Sequence, residues 1–124
     1  MLTLGRIVLV LAGLAIAVIG ALYLLRPAAV APSFGFPPTT RQAEVVWLRV
    51  KGVRDLATGV AAAVLLLAAP PAVAGAVLLA FTLVPIGDAV LVLAHGGSRA
   101  RAWGVHGATA LGMAVGGVAL LVGA

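Results

Sequence analysis

Cysteine is missing from these 124 residues. Its absence excludes disulfides, thiol catalysis and cysteine-ligated metal, and it leaves the redox compartment open. Acidic residues are nearly missing too: Glu44, Asp55 and Asp88 are the only three. Charged residues of both signs make up 9% of the chain, against roughly a quarter in soluble domains. The remainder is largely apolar: 64% of residues are hydrophobic and the mean hydropathy is +1.26. A chain this short cannot hide so much in one core. Lipid is the solvent that the composition implies, and the length allows one bundle rather than two domains.

The net charge is +5 and the isoelectric point near 11.6. The basic residues are few and lie between apolar runs. They read as topology signals, and nucleic acid is set aside as a partner. Arginine dominates over the single lysine, and Ala, Gly and Val abound. That usage fits a GC-rich bacterial genome.

A spanning helix needs about 20 apolar residues. Four stretches qualify: Ile7–Leu25, Val45–Ala69, Pro71–Ala94 and Trp103–Val122. The first is longer than the apolar core of a secretory signal and ends in Tyr23 and Arg26, so it reads as a retained span. Pro70-Pro71 stops one helix and starts the next. HGGSRAR joins the last two. The expected fold is therefore all-α: a single transmembrane domain over 1–124, an up-down-up-down four-helix bundle. A long loop over 26–44 is expected to be ordered around Phe34-Gly35-Phe36, with a solvated linker as the rival reading. Arg26, Arg41, Arg99 and Arg101 fall in the first and third loops. By the positive-inside rule those loops face the cytoplasm of a plasma or inner membrane, and both termini face out.

One stretch breaks the apolar pattern: WLRVKGVRDLATG, residues 47–59. Positions three and four apart share a helix face. Glu44, Trp47, Lys51, Arg54, Asp55 and Thr58 thus form one stripe, and Arg49 points away as a snorkelling anchor. The third span places Phe81, Pro85, Asp88 and His95 together, with a bend expected at Pro85 just before Asp88. The fourth aligns Trp103, His106, Thr109 and Met113. The first carries no polar stripe beyond its ends. A charge at the middle of a span costs ~2.5–3.5 kcal/mol, so convergence is the economical arrangement. Lys51, Arg54, Asp55, Thr58, Asp88, His95 and His106 are the expected cluster, with Arg54 paired to Asp55 or Asp88.

Other roles are weaker. His95 stands at a helix end, where a cationic ring suits the dipole. Asp88, His95 and His106 lack the spacing of a metal site, and neither metal nor cofactor is expected. Gly112-x-x-x-Gly116 matches a close-packing motif in a glycine-rich chain. A faint repeat relates R49VKGVR54 to R101AWGVH106, each followed by Ala-Thr, which suggests two related hairpins.

LRVKGVRDLATG and VPIGDAVLVLAHGGSRARAWGVHGATA, with Gly35-Phe36-Pro37 in the first loop, resemble a family of small four-span membrane proteins. It is defined as domain of unknown function four-two-six-seven, so the resemblance implies a fold but no activity. A broader likeness extends to the DoxX-like four-helix membrane proteins. Some of those work beside quinone or thiol oxidation, which nothing in this cysteine-free chain carries over. The residues favour a binding or accessory protein for a small or lipid-like ligand, with Arg54 holding an anionic group and Asp88 and His106 orienting it. The rivals are a proton-coupled small transporter, an isomerase-type membrane enzyme and a structural subunit. Small multidrug-type pumps rely on an acid in the first span, which is absent here. Self-association stays open.

Overall fold

The computed structural model describes residues 1–38 and 41–124; Thr39 and Thr40, within the expected first loop, lie outside the described residues. Among the described residues every regular element is helical. The elements are α1 (Leu2–Leu25), α2 (Pro27–Phe34), α3 (Gln42–Ala68), α4 (Pro71–Phe81), α5 (Leu83–Ala94), α6 (Arg99–Arg101), a π-helical turn (Ala102–Gly107) and α7 (Ala108–Val122). α4 and α5 form one rod, Pro71–Ala94, and α6 through α7 another, Arg99–Val122. With α1, these are three helices long and apolar enough to cross a membrane. α3 is longer, at 27 residues, but Arg49, Lys51, Arg54 and Asp55 interrupt its apolar run.

Proline sets the ends. Pro27 and Pro71 stand at the first helical position, where no backbone donor is needed. Pro85 has no N–H for the carbonyl of Phe81, and the rod is interrupted at Thr82. The Thr82 hydroxyl donates to the Leu79 carbonyl at 2.6 Å. The interruption expected at Pro85 therefore sits one turn earlier, at Thr82, because the missing donor and the ring's bulk both act on the preceding turn.

Glycine sets the packing. Gly13 and Gly20 on α1 lie against Gly59 and Gly52 on α3, so these two helices run antiparallel with backbones nearly touching. A Cβ at Gly20 would fall 2.5 Å from the Leu56 nitrogen and 2.8 Å from the Gly52 oxygen. Gly75 meets the Gly117 carbonyl in the same manner, joining α4 to α7. Small residues at such seams let helices approach where lipid removes the hydrophobic drive to associate. The Gly112–Gly116 motif is half right. Gly116 packs on Val8, whereas Gly112 faces open space.

α1 thus packs on α3 on one side and α7 on the other, α4 on α7, and α5 on the π turn. α3 and α5 scarcely touch. Leu9, Ala74, Leu78 and Leu120 form the core at one end, and Ala89, Val92 and Ala102 at the other. Outward residues are strongly apolar: Leu14, Leu67, Leu83 and Leu111 are more than 60% exposed. Such a surface suits hydrocarbon.

α2 occupies the first loop and carries Phe34 toward the second core. Gly35 follows with φ of +127°, a conformation that favours glycine. Its carbonyl accepts from the Ser98 N–H at 2.8 Å, which ties the loop to the start of α6.

Candidate functional site

A cavity of about 210 Å³ runs between the helices. One end is polar and is lined by Lys51, Asp55, Asp88 and His106, with Thr58 and Thr109 one turn deeper. The other end is apolar, lined by Leu9, Leu65, Leu78 and Met113. α1 gives the wall at Leu9, Ala12, Ile16, Ile19 and Tyr23, whose spacing of three and four keeps them on one face.

Two charge pairs define the polar end. Lys51 Nζ donates to Asp55 Oδ2 at 2.5 Å, an i,i+4 pair on α3 with Asp55 buried. The ammonium also lies 5.2 Å from the centroid of Tyr23 and 5.4 Å from that of Phe34, within cation–π range of both. Across the cavity, His106 Nδ1 faces Asp88 Oδ2 at 3.8 Å. Its other nitrogen, Nε2, is 2.8 Å from the Phe34 carbonyl. A carbonyl can only accept, so Nε2 carries a proton and donates. Phe34 also packs edge-on against the imidazole, with centroids 4.7 Å apart. The loop residue Phe34 therefore holds His106 by backbone and ring at once.

The π turn puts His106 there. A π turn bonds i to i+5, one residue more than an α turn, and this rotates the rest of the helix about its axis. Trp103 is turned outward, 64% exposed, while His106 is buried. This corrects the single face expected for Trp103, His106, Thr109 and Met113: the last three line the cavity and Trp103 does not.

Five of the seven expected cluster residues meet at the cavity: Lys51, Asp55, Thr58, Asp88 and His106. Two do not. Arg54 is exposed, and among the described residues it forms no ion pair with Asp55 or Asp88; Lys51 takes the role assigned to it. The reason is rotational. Gly52 and Gly59 must face α1, which turns Asp55 inward and Arg54, 100° away, outward. His95 is exposed at the end of α5 and donates from Nδ1 to the Leu91 carbonyl at 2.9 Å, capping the helix. Among the described residues no three imidazole or carboxylate groups gather as metal ligands would.

Tyr23, Ser33 and Phe34 also belong to the site, beyond the cluster expected from sequence. Tyr23 is 1% exposed and lines the cavity together with Ser33, whose hydroxyl donates to the Val30 carbonyl at 2.7 Å. The place of Tyr23 on the Leu9–Ile16 face is the signal that the sequence offers; its position beside Arg26 suggests a membrane-surface anchor instead. A second cavity, about 460 Å³, lies beyond Tyr23, Phe34 and Lys51, against Trp47 and Phe36. Those three residues line both cavities and so form the partition between them.

Comparison with known proteins gives one positive result. The profile of a domain of unknown function, DUF4267, matches residues 13–120. No curated protein and no solved structure matches the chain, and the likeness to DoxX-like proteins expected from sequence is not shown.

Proposed function

The chain belongs to the DUF4267 family, and from that premise we propose that it is a four-span membrane protein holding a small or lipid-like ligand at bilayer depth. In this reading α3 crosses as the fourth span and completes an up-down-up-down bundle. Two of the charges that set α3 apart support its insertion, since Lys51 and Asp55 satisfy each other and face inward. Arg26, Arg41, Arg99 and Arg101 then face the cytoplasm, and both termini lie outside. Reporters fused to either end should be active only on the outer side; a cytoplasmic signal from both would reverse the orientation.

One observation carries the binding role: the cavity is charged at one end and apolar along the rest. Its volume exceeds the ~150 Å³ of a dry cavity that takes up benzene. It falls short of the ~300–1,000 Å³ pockets that bury drug-sized ligands. The occupant is therefore one short chain or small ring with a polar head, not a two-chain lipid. The scarce packing between α3 and α5 supports entry from the side.

Native mass spectrometry of protein extracted with minimal detergent tests this. A retained species of roughly 100–200 Da is expected, in proportion to the benzene that a ~150 Å³ cavity holds, and Met113→Trp, which adds bulk at the apolar end of the cavity, should abolish it. A spectrum of bare protein, or a ligand unaffected by Met113→Trp, would sink the reading. The facing pair Asp88–His106 also favours a second reading, acid–base chemistry on the bound molecule.

A further inference from the structure

The charges at the polar end do not cancel. Lys51 and Asp55 neutralise each other at 2.5 Å. Asp88 and His106 remain. With Nε2 committed to the Phe34 carbonyl, a neutral His106 offers only the lone pair of Nδ1. That lone pair and the Asp88 carboxylate are two acceptors facing one another at 3.8 Å, carrying one negative charge. Among the described residues no other side chain donates to Asp88.

Two acceptors in surroundings this apolar need a cation or a proton. A proton on Nδ1 makes the two groups an ion pair. A protonated amine is the alternative. It has three N–H donors, enough to serve Nδ1 and Oδ2 together. The same end already accommodates one ammonium, that of Lys51 between Tyr23 and Phe34, and a further ring, Phe81, lines the wall. An anionic head would meet Asp55 and Asp88, and among the described residues the one fixed cation lining this end, Lys51, is already engaged.

We infer that the ligand is a single-chain or small-ring lipophilic amine, bound as the ammonium in exchange for a proton. This rests on the cavity reading above and names its ligand class. The step balances simply: the proton held between His106 Nδ1 and Asp88 Oδ2 passes to water, and the ammonium takes its place between the two acceptors. No covalent bond to carbon changes and no electron moves. The groups facing the exchange are Tyr23 from α1, Lys51 and Asp55 from α3, Asp88 from α5 and His106 from the π turn.

The test is calorimetric titration of the protein in phosphatidylcholine nanodiscs with hexylamine, hexanol and hexanoate, at pH 7 in two buffers of different ionisation enthalpy. Empty nanodiscs give the partition background. Hexylamine should bind about tenfold tighter than the other two and release about one proton per molecule bound. Asp88→Asn should remove the preference, and Asp88→Glu should keep it. Hexanoate binding as tightly as hexylamine, amine binding without proton release, or a preference that survives in Asp88→Asn would each overturn the inference. If Asp88→Asn fails to fold, the proton count on the unaltered protein decides alone. Hexanol binding with no amine preference would sink the amine and leave the cavity reading standing. Binding of none of the three, with bare protein in the native mass spectrum, would sink both.

Discussion

Gly20→Ala should destabilise the protein by about 3 kcal/mol, near the top of the range for overpacking. The added methyl would meet the Leu56 nitrogen and the Gly52 oxygen, both backbone atoms of α3. A side chain can change rotamer to relieve such a clash, but a helix backbone cannot, so α1 and α3 must move apart. Separation here also disturbs the Asp55 backbone, 3.0 Å from the same methyl. Gly112→Ala is the control. Nothing lies within 4 Å of its added atom. That change should be neutral or stabilising by up to ~1 kcal/mol through helix propensity. Thermal unfolding in bicelles checks both. A Gly20→Ala protein that melts with the unaltered one would refute the backbone seam.

Lys51→Met should cost about 3–5 kcal/mol, because it leaves Asp55 buried without its counter-charge. The tight contact is not itself the source of that figure. Most of it is the penalty of an unpaired carboxylate, since an ion pair replaced by apolar groups of similar shape is often neutral. The double change Lys51→Met with Asp55→Leu should therefore recover most of the loss. A double-mutant cycle measured by unfolding separates the two contributions. A double variant as unstable as the single one would mean that Lys51 acts through the Tyr23 and Phe34 rings rather than through Asp55.

Much of this arrangement is legible in the residues. The apolar runs and Pro70-Pro71 locate the long helices, and Pro71–Ala94 has the bounds expected from sequence. Spacing of three and four brings out Lys51, Asp55, Thr58, Asp88 and His106. A helical stripe has angular width, however, and Arg54 and Asp55 both fit within it. Only the rotation of α3 decides between them, and the glycines seven residues apart on α1 and α3 set that rotation. The pattern is present at Gly13, Gly20, Gly52 and Gly59, yet a glycine-rich chain disguises it. The π turn leaves no comparable trace: nothing in AWGVHG marks a turn that bonds i to i+5, and the contacts His106 makes with Phe34 and Asp88 join residues far apart in sequence. Phe34 reads from sequence as part of an ordered loop. That its carbonyl holds an imidazole 72 residues away depends on long-range packing that no local pattern encodes.

The glycine seams also make the molecule unequally stiff. Backbones in contact have no side chains left to rearrange, and close-packed interiors resist compression. α1 is fastened to α3 and α7, and α4 to α7, by such contacts. Between α3 and α5 there is no equivalent fastening. The bundle therefore has a spine and a fore-edge, as a bound book does. The cavity's width should therefore fluctuate most at the fore-edge, and under the proposed function the aperture for a ligand would be the one wall that glycine leaves compliant.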